Sequence, residues 1–88
     1  MKQKNNQFRS SDLTFVATLI LVSEKITIQE VNFHPNKQGV KVYTLTPVDE
    51  VHRLEKLYIS DQLKVSPQVL SSKIQAIRYL PANTKNYE

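Results

Sequence analysis

Two helix starts are spelled out in the second half of this 88-residue chain: Thr46-Pro47-Val48-Asp49 and Ser66-Pro67-Gln68. In each, a hydroxyl residue is placed to cap orphan N–H groups. A proline follows at the first helical position, where its missing N–H costs nothing. These two signals set the frame of the chain, with two strand-like runs before Thr46 and two helices after it. The reading is one small α+β domain, a compact binding module rather than an enzyme.

Length sets the scale of the core. A chain of this size buries only about 60–65% of its unfolded surface, so the core is thin. There is no cysteine, hence no disulfide and no thiolate metal site, which fits a reducing cytoplasm. The most apolar run, Leu13 to Val22, is too short to span a bilayer. Lys2, Lys4 and Arg9 precede it as in a signal peptide. However, Asp12 sits at its edge and Val22-Ser23-Glu24-Lys25 offers no small-residue cleavage site. The expectation is a soluble, non-exported, cytoplasmic protein.

The segments read in order. Residues 1–9 are polar and basic and are expected to be a flexible arm. Ser10-Ser11-Asp12 caps a first helix over about Asp12 to Glu24. Its β-branched Val16, Thr18, Ile20 and Val22 suit a strand equally well, but the run is longer than an ordinary strand. On a helix, Leu13, Val16, Ala17, Ile20 and Leu21 form one stripe, and Phe15, Leu19 and Val22 fall outside it. A helix apolar all round lies at the centre of a fold or at an interface.

Ile26 to Phe33 reads as a strand. Ile26 and Ile28 share one face, Val31 and Phe33 the other, and this change of phase predicts a bulge near Gln29-Glu30. His34 to Gly39 is a turn holding the only glycine, and Val40 to Leu45 is the second strand of an antiparallel hairpin. Pro47 to about Gln62 carries the apolar stripe Val48, Val51, Leu54, Leu57 and Tyr58. Pro67 to Leu80 carries Leu70, Ile74 and Ile77, and Pro81 ends it. The predicted fold is α-β-β-α-α, a hairpin packed by three helices, with the domain at 10–81 and a tail at 82–88.

Two stretches carry a resemblance. Ser11-Asp12-Leu13 followed by Ala17 and Leu19, and Tyr58-Ile59-Ser60-Asp61-Gln62-Leu63-Lys64-Val65-Ser66-Pro67, resemble a small, uncharacterised bacterial and phage family known only as a domain of unknown function. The resemblance covers most of residues 10–80 and implies a helix at Asp12. That family usually has glycine in the turn before Leu-x-Val, where Ser60-Asp61 stands here. No activity and no site residues come with it. Over a shorter span, Lys41 to Thr46 followed by two helices looks like a ribbon-helix-helix repressor. That resemblance implies a dimeric DNA-binding regulator whose paired strands enter the major groove.

Chemistry is sparse. His34 lies in a loop and His52 beside a helical stripe, neither with a base partner near it in sequence. One glycine excludes a glycine-rich phosphate loop. No catalytic residue, metal ligand or cofactor is expected. Charge is more informative. The net charge is +4. Residues 1–9 hold Lys2, Lys4 and Arg9 with no acid, and residues 62–87 hold Lys64, Lys73, Arg78 and Lys85 with no acid. The expected function is a non-catalytic accessory that binds DNA or RNA, or joins a nucleoprotein complex. Lys64, Lys73 and Arg78 are its helix contacts, and Lys2, Lys4 and Arg9 its arm contacts. The alternative is a protein–protein assembly subunit, homo- or hetero-oligomeric, with Phe15 and Leu19 of the first helix at the interface.

Overall fold

The computed structural model describes residues 7–82 together with 84 and 85. In chain order the elements are β1 (Phe8–Ser10), α1 (Leu13–Val22), β2 (Thr27–Phe33), β3 (Lys41–Thr46), α2 (Val48–Ile59), α3 (Pro67–Arg78) and β4 (Thr84–Lys85). The strands form one antiparallel sheet in the order β1-β3-β2-β4. The α-β-β-α-α order is as the sequence predicts, with the helices packed on the β2–β3 hairpin. Short strands are added at each side of it.

β1 changes the boundary of the expected arm. Phe8 and Arg9 pair with Leu45 and Thr44 across the edge of β3. Phe8 turns inward, where its ring lies 5.9 Å from Phe15 and 5.6 Å from His52. Burial of one aromatic ring holds a strand too short to announce itself in sequence. Lys2 and Lys4 lie outside the described residues. At the other end, Thr84 and Lys85 pair with Val31 and Glu30, so the expected tail returns to the sheet.

The bulge in β2 sorts its side chains. Register slips between Ile28 and Glu30, so Gln29 is the extra residue. That slip lets Ile26, Ile28 and Val31 all reach the core beside Tyr43 and Leu45 of β3. Thr44 faces the other way between its partners Arg9 and Glu30. It is 1% exposed, and its hydroxyl has no hydrogen-bond partner among the described residues.

α1 is the central helix. Asp12 caps it by accepting the Phe15 N–H at 3.2 Å, as expected. Five consecutive residues, Phe15 to Leu19, are buried, so it is enclosed on every side by its own chain. The buried Thr18 hydroxyl donates to the Thr14 carbonyl at 2.7 Å, which satisfies a polar group where water is excluded. Val51 and Leu54 of α2 and Ile77 of α3 complete the core.

The two proline starts hold in part. α2 and α3 begin at Val48 and Pro67, but neither Thr46 nor Ser66 makes a side-chain cap bond. The residue at the cap of α2 is Pro47, after a cis Thr46–Pro47 bond. Thr46 is still in β3, and its hydroxyl lies 3.2 Å from that of Thr27 across the hairpin. Asp49 and Glu50 in the first turn supply the negative charge that the positive end of α2 favours.

Candidate nucleic-acid interface

α3 buries Ile77 and half-buries Leu70 and Ile74 against the core. On its opposite side Gln68, Ser71, Ser72, Gln75, Arg78 and Tyr79 are all exposed. Their spacing of three to four residues sets them on one face of a helix. The face carries hydroxyls, amides, a guanidinium and a phenol, and α3 contains no acid. Among the described residues the side chains of Arg9, Lys64, Lys73 and Arg78 form no ion pair. The ion pair present is Arg53 with Glu50 at 2.8 Å, and His52 Nδ1 lies 3.5 Å from Glu55 Oε1.

The sequence-predicted cations do not converge on one depression. Lys73 is half-buried and lines an apolar groove of about 310 Å3 between α3, the end of α1 and the start of β2, beside Ile20, Ile26 and Ile28. Its stem covers the core rim, as long basic side chains commonly do. Arg78 lines a different depression with Ser11, Gly39 and Lys41. Lys64 lies in the α2–α3 connection over Thr14 and Thr18, and Arg9 sits on the edge strand.

Phe15 and Leu19 are not available as an interface. They are 6% and 0% exposed within the chain itself. The apolar encirclement of α1 is answered by α2, α3 and the sheet rather than by a partner. β3 is paired on both sides, with β1 and with β2.

Sequence reasoning missed Lys41. Its ammonium donates to the carbonyls of Arg78 and Leu80, each at 2.7 Å, and so closes the end of α3 onto β3. Cations are favoured at that negative end of a helix. Nothing local in the sequence signals it, because the partners are 37 and 39 residues away. Tyr43 lies beneath the same place, its hydroxyl donating to the Ile77 carbonyl at 3.4 Å. Burial pushes the Tyr43 phenol pKa up, and the Arg78 charge pulls against that rise.

The histidines sit apart. His34 Nδ1 accepts the Asn36 N–H at 3.0 Å within the hairpin turn. His52 meets the Phe8 ring edge-on. Among the described residues no three histidine or acidic side chains gather as a metal would require. No described helix is long and apolar enough to cross a membrane. Compared with known protein families, curated proteins and solved structures, the chain matches none.

Proposed function

We propose that this chain is a non-catalytic, cytoplasmic accessory module that binds nucleic acid, or joins a nucleoprotein complex, by laying α3 along a phosphate backbone. The observation that carries the reading is the exposed face of α3, which offers donors and a guanidinium without one carboxylate. Phosphate contacts of this kind position a protein on nucleic acid and supply most of its non-specific affinity. Arg78 is the principal contact. Lys64, Lys73 and Arg9 add charge to other sides of the molecule, and Lys2 and Lys4 would extend it.

Fluorescence anisotropy with labelled DNA and RNA over a salt series tests this. Affinity is expected to fall with salt, by about 0.9 in the log–log slope per phosphate neutralised on duplex DNA. Arg78→Gln is expected to flatten that slope by about one unit, with the melting temperature nearly unchanged, because the side chain is exposed. Absence of binding to either nucleic acid at about 50 mM salt would overturn the reading.

The second reading, a protein-assembly subunit, draws on the apolar groove beside Lys73. It predicts an assembled mass by light scattering that salt leaves unchanged.

A further inference from the structure

We infer that one phosphodiester of the bound polymer sits where the end of α3, the start of α1 and the β2–β3 turn meet, between Arg78 and Lys41. This deepens the nucleic-acid reading above and rests on it. The depression there measures about 420 Å3, and Ser11, Leu13, Gly39, Lys41, Tyr43 and Arg78 line it. Two of these are cations and none is an acid, and the Arg78 and Leu80 carbonyls at the negative end of α3 already accept from Lys41.

Three features make this more than two neighbouring basic residues. First, Lys41 is already held. Its two bonds to the Arg78 and Leu80 carbonyls fix the ammonium, and an ammonium has three N–H groups, so one remains to donate. A lysine ordered beforehand loses little rotamer freedom on binding, unlike a free surface lysine. Second, the Arg78 guanidinium is near enough for its charge to act on the Tyr43 hydroxyl, which lies at the wall of the same depression. It is exposed and free of any ion pair among the described residues, so its N–H groups are open to a phosphate, which they match in geometry. Third, the depression is open at Gly39, where no atom beyond the glycine and its two chain neighbours lies within 4 Å of the place a side chain would begin. Exposed Ser11 adds a hydroxyl to the lining. A polymer laid along the acid-free face of α3 passes over Arg78 at its end, which favours a backbone phosphate over an isolated small anion.

The test uses isotope-labelled protein titrated with inorganic phosphate, then with DNA and RNA duplexes of one sequence. Saturable shifts of the Leu13, Gly39 and Lys41 amides with inorganic phosphate, lost in Arg78→Gln, are expected. Ser11→Glu places a carboxylate in the lining without touching the core. It is expected to weaken duplex binding about tenfold, through like-charge repulsion, with an unchanged melting temperature. The duplex that moves the same amides identifies the source of the phosphodiester. If a duplex binds the parent in a salt-dependent way, but neither variant differs and those amides stay still, the seat is overturned and the nucleic-acid reading stands. If inorganic phosphate moves the amides but no duplex binds at about 50 mM salt, the phosphodiester assignment is overturned together with the nucleic-acid reading.

Discussion

Asp61 holds a backbone conformation that side chains disfavour. Its φ is 60°, the left-handed region where a Cβ crowds the next carbonyl. It is there because α2 ends in a tight double closure. The Gln62 N–H donates to the Leu57 carbonyl at 2.8 Å, and the Asp61 N–H to that of Tyr58 at 3.0 Å. That is the Schellman arrangement, which most often uses glycine at this position. Glycine adopts this conformation without penalty, whereas aspartate meets it here with strain. Asp61→Gly is expected to stabilise the fold by about 0.5 kcal/mol, relief of strain being partly offset by a more flexible unfolded chain. Urea denaturation checks it, and a lower midpoint would contradict it. Glu50 gives a second residue-scale prediction. Its carboxylate takes two bonds from Arg53, at 3.1 and 2.8 Å, and one from Ser23 at 2.8 Å. The Arg53 bonds first, then the Ser23 bond, hold its pKa down to about 2, from 4.5. A lowered folded-state pKa adds stability above the unfolded value, and that stability is lost as pH falls through the folded value. The parent should therefore lose more stability than Glu50→Gln between pH 4.5 and about 2. Parallel denaturation curves for the two across that window would refute the contribution.

At the scale of elements, the periodicities were legible and the joins were not. The stripes of α2 and α3 and the slip in β2 follow from side-chain periods of 3.6 and 2, which any sequence displays. The Thr46 hydroxyl illustrates the other case. Its residue type and the proline after it read as a cap, but the strand it still belongs to gives it Thr27 as a neighbour, 19 residues away. Lys41 is the strongest join. Lys41→Met keeps the aliphatic stem and removes the charge that closes α3. A loss of about 1–2 kcal/mol is expected, since hydrogen bonds to charged groups exceed neutral ones. Amide exchange at Tyr79 and Leu80 should quicken while α1 stays protected. Uniform acceleration across all helices would mean that Lys41 supports the whole fold rather than one helix end. β1 belongs here too. It covers an edge of β3 that would otherwise expose unpaired backbone groups, and the Phe8 ring ties it to α1 and α2.

For the whole molecule, α1 decides between a core and an interface. Its residues are apolar all round, a pattern that the centre of a monomer and the face of an oligomer share. The structure encloses Phe15 with Phe8 and Tyr58, the latter ring 4.9 Å away and edge-on. Phe15→Glu should therefore unfold the domain, because a carboxylate enters a dry site without a partner. Circular dichroism together with light scattering distinguishes the outcomes. A folded chain of lower mass would restore the interface. The sequence by itself determined the order of α1, β2, β3, α2 and α3, the faces of α2 and α3, the bulge and the acid-free character of α3. Each of these rests on composition, on proline's fixed φ or on a repeat a few residues long. Only the tertiary structure decided that β1 completes the sheet, that Phe15 and Leu19 are internal, that Lys73 and Arg78 line different depressions and that Lys41 joins Arg78. Those outcomes depend on which groups the fold brings together from distant parts of the chain. No local rule encodes that, because burial and electrostatics act through space rather than along the sequence.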